Sequence, residues 1–242
     1  MSDPSSVARE ATDDPTTSLD EIDQALEALG VDTGGFERPS ARAVKAAERR
    51  SRFGTPLPRN FRLLWAATGL SNLGDGLRLV AMPLLATSVT SDPRLIAGVA
   101  VAQQLPWLFF ILPGGAWADR FDRRVLRMRL DWARAVVMSL LVAAISFDQL
   151  SIVVIYVVAA LLASAEAVVD SSSMAMVPAT VDGADLERAG GRLASTELAM
   201  NDLGGPRVGG LLFGLAVAVP CGVDALTFAG AALVLSFMTG SY

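Results

Sequence analysis

Apolar blocks of about 20 residues follow one another from Phe61 to the end of the chain, separated by short polar breaks. A helix needs about 20 such residues to cross a hydrocarbon core of ~30 Å, so each block has the length of a membrane-spanning helix. Together they predict an all-α membrane protein with six transmembrane helices over residues 60–242. The predicted spans are 62–88, 95–117, 125–147, 150–172, 193–218 and 221–240.

The first 59 residues lack this pattern and form a polar tail. Residues 1–37 hold ten acidic residues and one basic residue, whereas residues 38–62 hold eight basic residues and one acidic residue. A tail rich in Ser, Thr, Asp and Pro is expected to be mostly disordered, and it has no apolar segment typical of a signal peptide. A capping box followed by apolar residues at helical spacing predicts one short amphipathic helix near 19–29. That helix is either solvated or a docking segment for a partner.

Basic residues occupy alternate breaks between the predicted spans. Those that follow the second span or precede the fifth are Arg120, Arg123, Arg124, Arg127, Arg129, Arg188 and Arg192. Because basic loops stay on the cytosolic side, we expect both termini in the cytosol and a multi-pass protein of the cell (inner) membrane. The basic segment before the first span is expected to touch anionic lipid headgroups rather than nucleic acid.

Composition excludes several classes of enzyme. The chain is 52% hydrophobic and 19% charged, and it has no histidine and a single cysteine. A Cys/His metal site, a disulfide framework and a Ser-His-Asp or Cys-His catalytic arrangement therefore lack their residues. We expect no cofactor, no metal and no enzymatic activity, because the carboxylates inside the spans have no nucleophile or phosphate-binding loop beside them.

Ionisable side chains recur inside the predicted spans, where each is costly unless it faces a partner or a polar cavity. Asp75 and Arg78 lie three residues apart in the first span, and Asp131 and Arg134 repeat that spacing in the third. Residues three apart share a helix face, so each pair can neutralise itself. Asp75 is therefore either a charge neutralised for packing or a proton carrier.

The fourth span carries two like charges, Glu166 and Asp170, four residues apart. One of them must be partly protonated or meet a cation from another helix, and Arg134 is the candidate cation. Counted from the cytosolic side at about 1.5 Å per residue, Asp75 and Asp202 fall near mid-membrane. The depth of these two matches that of substrate and proton sites in secondary transporters, so Asp75 with Arg78, and Asp202, are candidates for proton coupling. The carboxylates predicted to form a cytosolic charge network with Arg134 are Asp131, Glu166, Asp170 and Glu197.

The break between the second and third spans carries a recognisable motif. Its residues Gly115-Ala-Trp-Ala-Asp119-Arg120-Phe-Asp122-Arg123-Arg124 resemble the G-x-x-x-D-R-x-G-R-R/K loop of the major facilitator superfamily, with Asp122 in place of the usual Gly. Further segments resemble its drug and siderophore exporter branch, which includes the enterobactin exporter. These segments are Leu73–Gly76, Asp131–Arg134, Val177–Pro178, Asp185–Arg188 and Asp224–Phe228.

The resemblance implies roles for two motifs. In the signature loop, Asp119 can cap or pair with a helix terminus, and the arginines can bridge carboxylates of adjacent helices. The residues that would form this conformational latch are Gly115, Asp119, Arg120, Asp122, Arg123 and Arg124. The fifth span contains half of the superfamily's antiporter motif, G-P-x-x-G-G, at Gly205, Pro206, Gly209 and Gly210. That half-motif favours export by exchange.

These features predict the amino-terminal half of a proton-coupled exporter of small amphipathic molecules, of drug or siderophore type. Superfamily transporters have two six-helix halves, so a second half or self-association is an expected partner, beside the lipid bilayer, the substrate and protons. A fragment, a half-transporter and a repurposed subunit all fit the sequence. The alternative function is a non-transporting membrane subunit that assembles through its tail or a bundle face.

Overall fold

The computed structural model describes residues 57–118 and 122–240, and every regular element in these ranges is helical. The α-helices are α1 Arg59–Thr87, α2 Pro93–Ala118, α3 Arg123–Ser146, α4 Ile152–Thr180, α5 Leu186–Glu197, α6 Gly205–Leu215 and α7 Val219–Ser236. A 3-10 turn, Gly183–Asp185, precedes α5, and a π-helical segment, Leu198–Gly204, joins α5 to α6 without leaving helical backbone geometry. Counting α5, the π segment and α6 as one broken helix gives the six helices that the sequence predicts. The amphipathic helix predicted near 19–29 lies outside the described residues.

Two predicted helix ends differ from the structure by seven residues or more. The fourth helix continues to Thr180, beyond the predicted end at residue 172, and the fifth begins at Leu186 rather than 193. The run Ser171–Ser173 reads as a polar break in the sequence. In the structure each of these hydroxyls donates to the main-chain carbonyl one turn earlier, at 2.8, 2.7 and 2.5 Å. The serine hydroxyls therefore have their hydrogen-bond acceptors within the helix and do not interrupt it.

Two apolar clusters fill the ends of the bundle and leave a polar layer between them. Members of the cluster at the end that contains the α3–α4 turn include Met82, Leu85, Met138, Ile155 and Phe228. Members of the cluster at the opposite end include Phe61, Leu64, Met176, Leu193 and Leu235. Helix α7 packs against α1 and α3, α2 packs against α4, and α1 packs against α6. The polar layer is therefore closed off along the bundle axis by apolar packing.

The outer surface of the bundle is apolar. Leucines from four helices are more than 60% exposed, as expected for side chains that face hydrocarbon. They are Leu108, Leu140, Leu211, Leu215 and Leu226. Within the described ranges, α4 and α7 each combine a length and an apolar composition sufficient to cross a bilayer. The number of spans beyond these two stays a prediction.

Glycines of the half-antiporter motif set the distance between α1 and the broken helix. A side-chain carbon on Gly205 would lie 2.5 Å from the Cα atom of Gly76, and one on Gly209 would lie 2.9 Å from the carbonyl oxygen of Leu77. Gly210 points away from α1 and has open space around it. Gly205 and Gly209 therefore let two backbones touch, and the neighbouring π segment is held against the polar layer.

Candidate functional site

The polar layer is dominated by eight ionisable side chains from four helices, which we call the charged layer. They are Asp75 and Arg78 of α1, Arg127, Asp131 and Arg134 of α3, Glu166 and Asp170 of α4, and Asp224 of α7. Both predicted pairs at three-residue spacing are present. The Nη2 atom of Arg78 lies 3.3 Å from Oδ1 of Asp75, and the Nη1 atom of Arg134 lies 3.5 Å from Oδ1 of Asp131.

Two guanidinium groups also link the helices. Arg134 on α3 pairs with Asp75 on α1, and its guanidinium carbon lies 3.8 Å above the ring centroid of Phe228 on α7. Arg78 pairs with Glu166 on α4, and it donates to the side-chain carbonyl of Gln103 on α2 at 3.2 Å. Arg134 therefore ties α3 to α1 and α7, and Arg78 ties α1 to α2 and α4.

The structure corrects the predicted partner of Glu166. The sequence assigns Arg134 to this carboxylate, but Asp75 and Asp131 take Arg134, and Arg78 reaches Glu166 instead. Glu166 also lies deeper in the bundle than a cytosolic network would place it. Because α4 runs on to Thr180, Glu166 lies roughly 20 Å from that end and joins the same layer as Asp75 through Arg78.

Arg127 belongs to the bundle rather than to the cytosolic loop in which the sequence places it. Its side chain has no exposed surface, and its Nη1 atom donates to the hydroxyls of Thr68 at 3.0 Å and Ser173 at 2.5 Å. Its Nε atom lies 3.8 Å from Asp131. The available signal was the spacing of residues 127, 131 and 134, which places all three on one face of α3.

Charge does not balance within the charged layer. It has five carboxyl groups and three guanidinium groups, so full ionisation would leave a formal charge of 3 − 5 = −2. Unpaired charge is unfavourable in a buried, low-dielectric site, and protonation is the usual way to remove it. The layer therefore has the capacity to bind protons.

Two cavities of the described residues lie against the charged layer, and the larger of these two, which we call the main cavity, has a volume of about 280 Å³. Its ionisable lining residues are Asp75, Arg78, Glu166, Asp170, Glu197 and Asp202. All three side chains predicted for proton coupling, Asp75, Arg78 and Asp202, thus meet at one cavity. Asp202 lies in the π segment and is exposed at its mouth, together with the partly exposed Leu79 and Trp107. The cavity therefore opens on the side of the bundle.

A second cavity of about 30 Å³ adjoins this region, and Asp170 and Glu197 line both. Its other walls include the polar side chains of Thr68, Asn72 and Ser173. The two cavities therefore meet at the wall that Asp170 and Glu197 form.

The signature loop is described only in part. Asp119 and Arg120 lie outside the described residues, and Gly115 lies in α2. Asp122 acts as the N-cap of α3, its carboxylate accepting from the Val125 amide at 3.1 Å. Arg123 donates to the main-chain carbonyl of Ala175 in α4 at 3.2 Å.

Arg124 binds the carboxyl-terminal end of α7. It donates to the main-chain carbonyls of Leu235 at 3.0 Å, Ser236 at 2.8 Å and Gly240 at 3.4 Å. The sequence predicts carboxylate partners, but in the described part of the chain Arg124 uses carbonyls. A helix leaves its last four carbonyls unpaired and carries partial negative charge at that end, which suits a guanidinium.

Arg124→Ala is expected to lower the free energy of unfolding by about 1–2 kcal/mol, because it removes charge-assisted hydrogen bonds to the end of α7. The midpoint of unfolding in sodium dodecyl sulfate, followed by circular dichroism, measures the loss. Arg129→Ala is the matched control, since Arg129 lies on α3 and is exposed. Equal losses in the two variants would contradict the capping role.

An apolar exterior around an ion-paired interior with a polar cavity defines a helical membrane protein. The family profile described as transmembrane secretion effector matches residues 53–239. The chain therefore belongs to this family, which is of the major facilitator type of transporter. Comparison with curated proteins and with solved structures gave no match. This family membership agrees with the resemblance to the major facilitator superfamily that the sequence motifs indicate.

Proposed function

We propose that this protein takes part in the efflux of small amphipathic molecules, of drug or siderophore type, in exchange for protons across the cell (inner) membrane, with both termini in the cytosol. Its family supports the broader role in secretion. The observation that carries proton exchange is the position of Asp75. This carboxylate lines the main cavity and at the same time binds Arg78 and Arg134, which hold α2, α3 and α4 to α1.

Protonation of Asp75 would act directly on these contacts. While it is ionised, its carboxylate anchors Arg134 and so fixes α3 against α1. A proton that enters from outside neutralises the carboxylate, which weakens both ion pairs and frees α1 to shift against its neighbours. Substrate then leaves outwards, and loss of the proton to the cytosol restores the pairs.

The open side of the main cavity supports a protein partner. Carboxylates that line an opening at the side of the bundle cannot face hydrocarbon without a large free-energy penalty, so that side must meet protein or water. A second six-helix bundle, from another polypeptide or from a second copy, satisfies this requirement. Rocking of two bundles about a site between them is the usual means of alternating access.

Asp75→Asn is expected to abolish efflux driven by a pH gradient, because the amide keeps the shape of the carboxyl but cannot exchange a proton. Loss of a buried ion-pair partner also lowers stability, so circular dichroism checks that the variant is folded. Ethidium efflux from vesicles containing the complete assembly, under an imposed gradient, provides the measurement. Asp92→Asn, at an exposed carboxylate between α1 and α2, is the control. Gradient-driven efflux that persists unchanged in Asp75→Asn would rule out this proton carrier.

A further inference from the structure

Asp224 is a buried carboxyl that neither the ion pairs nor the mechanism above uses. It lies on α7 with no exposed surface, and both carboxyl oxygens lack a hydrogen-bond donor among the described residues. The nearby Thr227 hydroxyl donates to the main-chain carbonyl of Asp224 at 2.8 Å rather than to its carboxyl group. An ionised carboxylate without donors is strongly disfavoured in such a place, so the neutral acid is the form that fits.

The packing around Asp224 leaves room for the carboxyl group and little else. A side chain on Gly74 of α1 would overlap Oδ1 of Asp224 and the Thr227 hydroxyl, and would lie 3.3 Å from the ring of Phe228. Gly74 precedes Asp75 in the chain, and Phe228 carries the guanidinium of Arg134 on its face. The acid therefore lies next to the ion pair that joins α1 to α3.

Charged side chains of three other helices lie near Asp224. They are Asp75 and Arg78 of α1, Arg134 of α3 and Glu166 of α4. On α7 itself, the neighbouring titratable group is the thiol of Cys221. Helix α6 has a single ionisable residue, Arg207, which is exposed and donates to the carbonyl of Leu203 in its own turn. Within the described ranges the Nε atoms of Arg78 and Arg134 have no acceptor, so unpaired donors and an unpaired carboxyl occupy the same layer.

We propose that Asp224 is a second proton-binding carboxyl, which exchanges one proton with Asp75 while Arg134 moves to whichever of the two is ionised. In the conformation described here, Asp224 holds the proton and Asp75 binds Arg134. When the proton passes from the Asp224 carboxyl to the Asp75 carboxylate, the bond from Arg134 to Asp75 breaks and one to Asp224 forms. Total charge is unchanged, and the proton now lies on the carboxyl that lines the main cavity.

This exchange extends the proposed function and rests on it for its purpose, but its detection does not require transport. Infrared spectroscopy of the purified full-length chain in lipid nanodiscs resolves the carbonyl stretch of protonated carboxylic acids. At neutral pH we expect such absorption in the wild type, with one component that Asp224→Asn removes and that we call the Asp224 band. We also expect its loss in Asp75→Asn, because a neutral amide at position 75 releases Arg134 to Asp224, which then ionises. Asp92→Asn should retain the band.

Two results would overturn the exchange. A spectrum unaffected by Asp224→Asn would show that this carboxyl is not protonated, and a band that persists in Asp75→Asn would show that the two carboxyls do not share Arg134. Gly74→Ala gives a reading that does not depend on removing the acid: it should displace the carboxyl and shift the band, and an unshifted band would count against the site. If the spectra are as expected but no ethidium efflux is detected, the proposed function is wrong and the proton exchange between Asp224 and Asp75 still stands.

Discussion

Arg134→Met is expected to destabilise the bundle by about 3–5 kcal/mol, because removal of one partner from a buried ion pair leaves the others uncompensated. Arg134 is 1% exposed and serves both Asp75 and Asp131, which are 4% and 0% exposed. Methionine fills much of the same volume, so the loss reports stranded charge rather than a cavity. The substitution would also remove the cation–π interaction between Arg134 and the ring of Phe228.

Unfolding in sodium dodecyl sulfate, followed by circular dichroism, measures this loss, and Arg129→Met on the same helix is the exposed control. Arg134→Lys should lie between wild type and Arg134→Met, since one ammonium cannot bridge two carboxylates as a guanidinium fork does. The double variant Asp75→Asn/Arg134→Met should recover part of the stability, because one stranded carboxylate is then gone. A double variant whose loss is the full sum of the single losses would show that Asp75 and Arg134 do not interact.

Gly76→Ala is expected to destabilise the bundle by about 1–3 kcal/mol, despite the better helix propensity of alanine. A methyl group there would lie 2.6 Å from the carbonyl oxygen of Asn201 and 2.7 Å from that of Met200, both in the π segment. These are backbone atoms, so a whole segment must move to make room. The displaced segment carries Asp202, and the shape of the main cavity should change with it.

Gly210→Ala is the matched control, because Gly210 lies in the adjoining helix α6 and a methyl group added to it would meet nothing within 4 Å. It should leave stability unchanged or raise it by up to about 1 kcal/mol. The same detergent titration compares the two variants. If both alanines have the same effect, the close contact between α1 and the π segment does not limit stability.

Most of the helical fold follows from the sequence, because lipid-facing and bundle-facing positions together give long apolar runs whose polar breaks mark the turns. The start of α1 at Arg59 and the end of α3 at Ser146 lie close to their predicted positions. The π segment did not follow. Pro206 lacks the amide hydrogen that an α-helix needs, and Gly76 of α1 meets the carbonyls of the π segment only after folding, so no local sequence pattern predicts the widened turn.

The contacts of the candidate site could be predicted where both residues lie on one helix, but not where they lie on different helices. Spacing alone indicates that Asp75 can meet Arg78, because three residues along a helix return to one face. Which carboxylate a guanidinium reaches on another helix depends on how that helix is rotated about its axis and on how deep the carboxylate lies in the bundle. The end of α4 at Thr180, rather than at residue 172, changed the position of Glu166 relative to the guanidinium groups. Asp224 was not predicted as a site residue because an isolated acid near a predicted span end resembles an interfacial residue, and only the structure shows that α1 and α3 enclose it.

The pairing of Arg134 with Asp75 also bears on how the protein is made. Helix α3 carries three ionisable groups on its buried face, and each costs about 2.5–3.5 kcal/mol at the centre of an inserting helix. Asp75 has already been synthesised on α1 when α3 emerges from the ribosome, whereas Glu166 arrives later, on α4. Helices α1 and α3 should therefore leave the translocon together, and Arg78, already paired with Asp75 on its own helix, should gain its second carboxylate only when α4 is inserted.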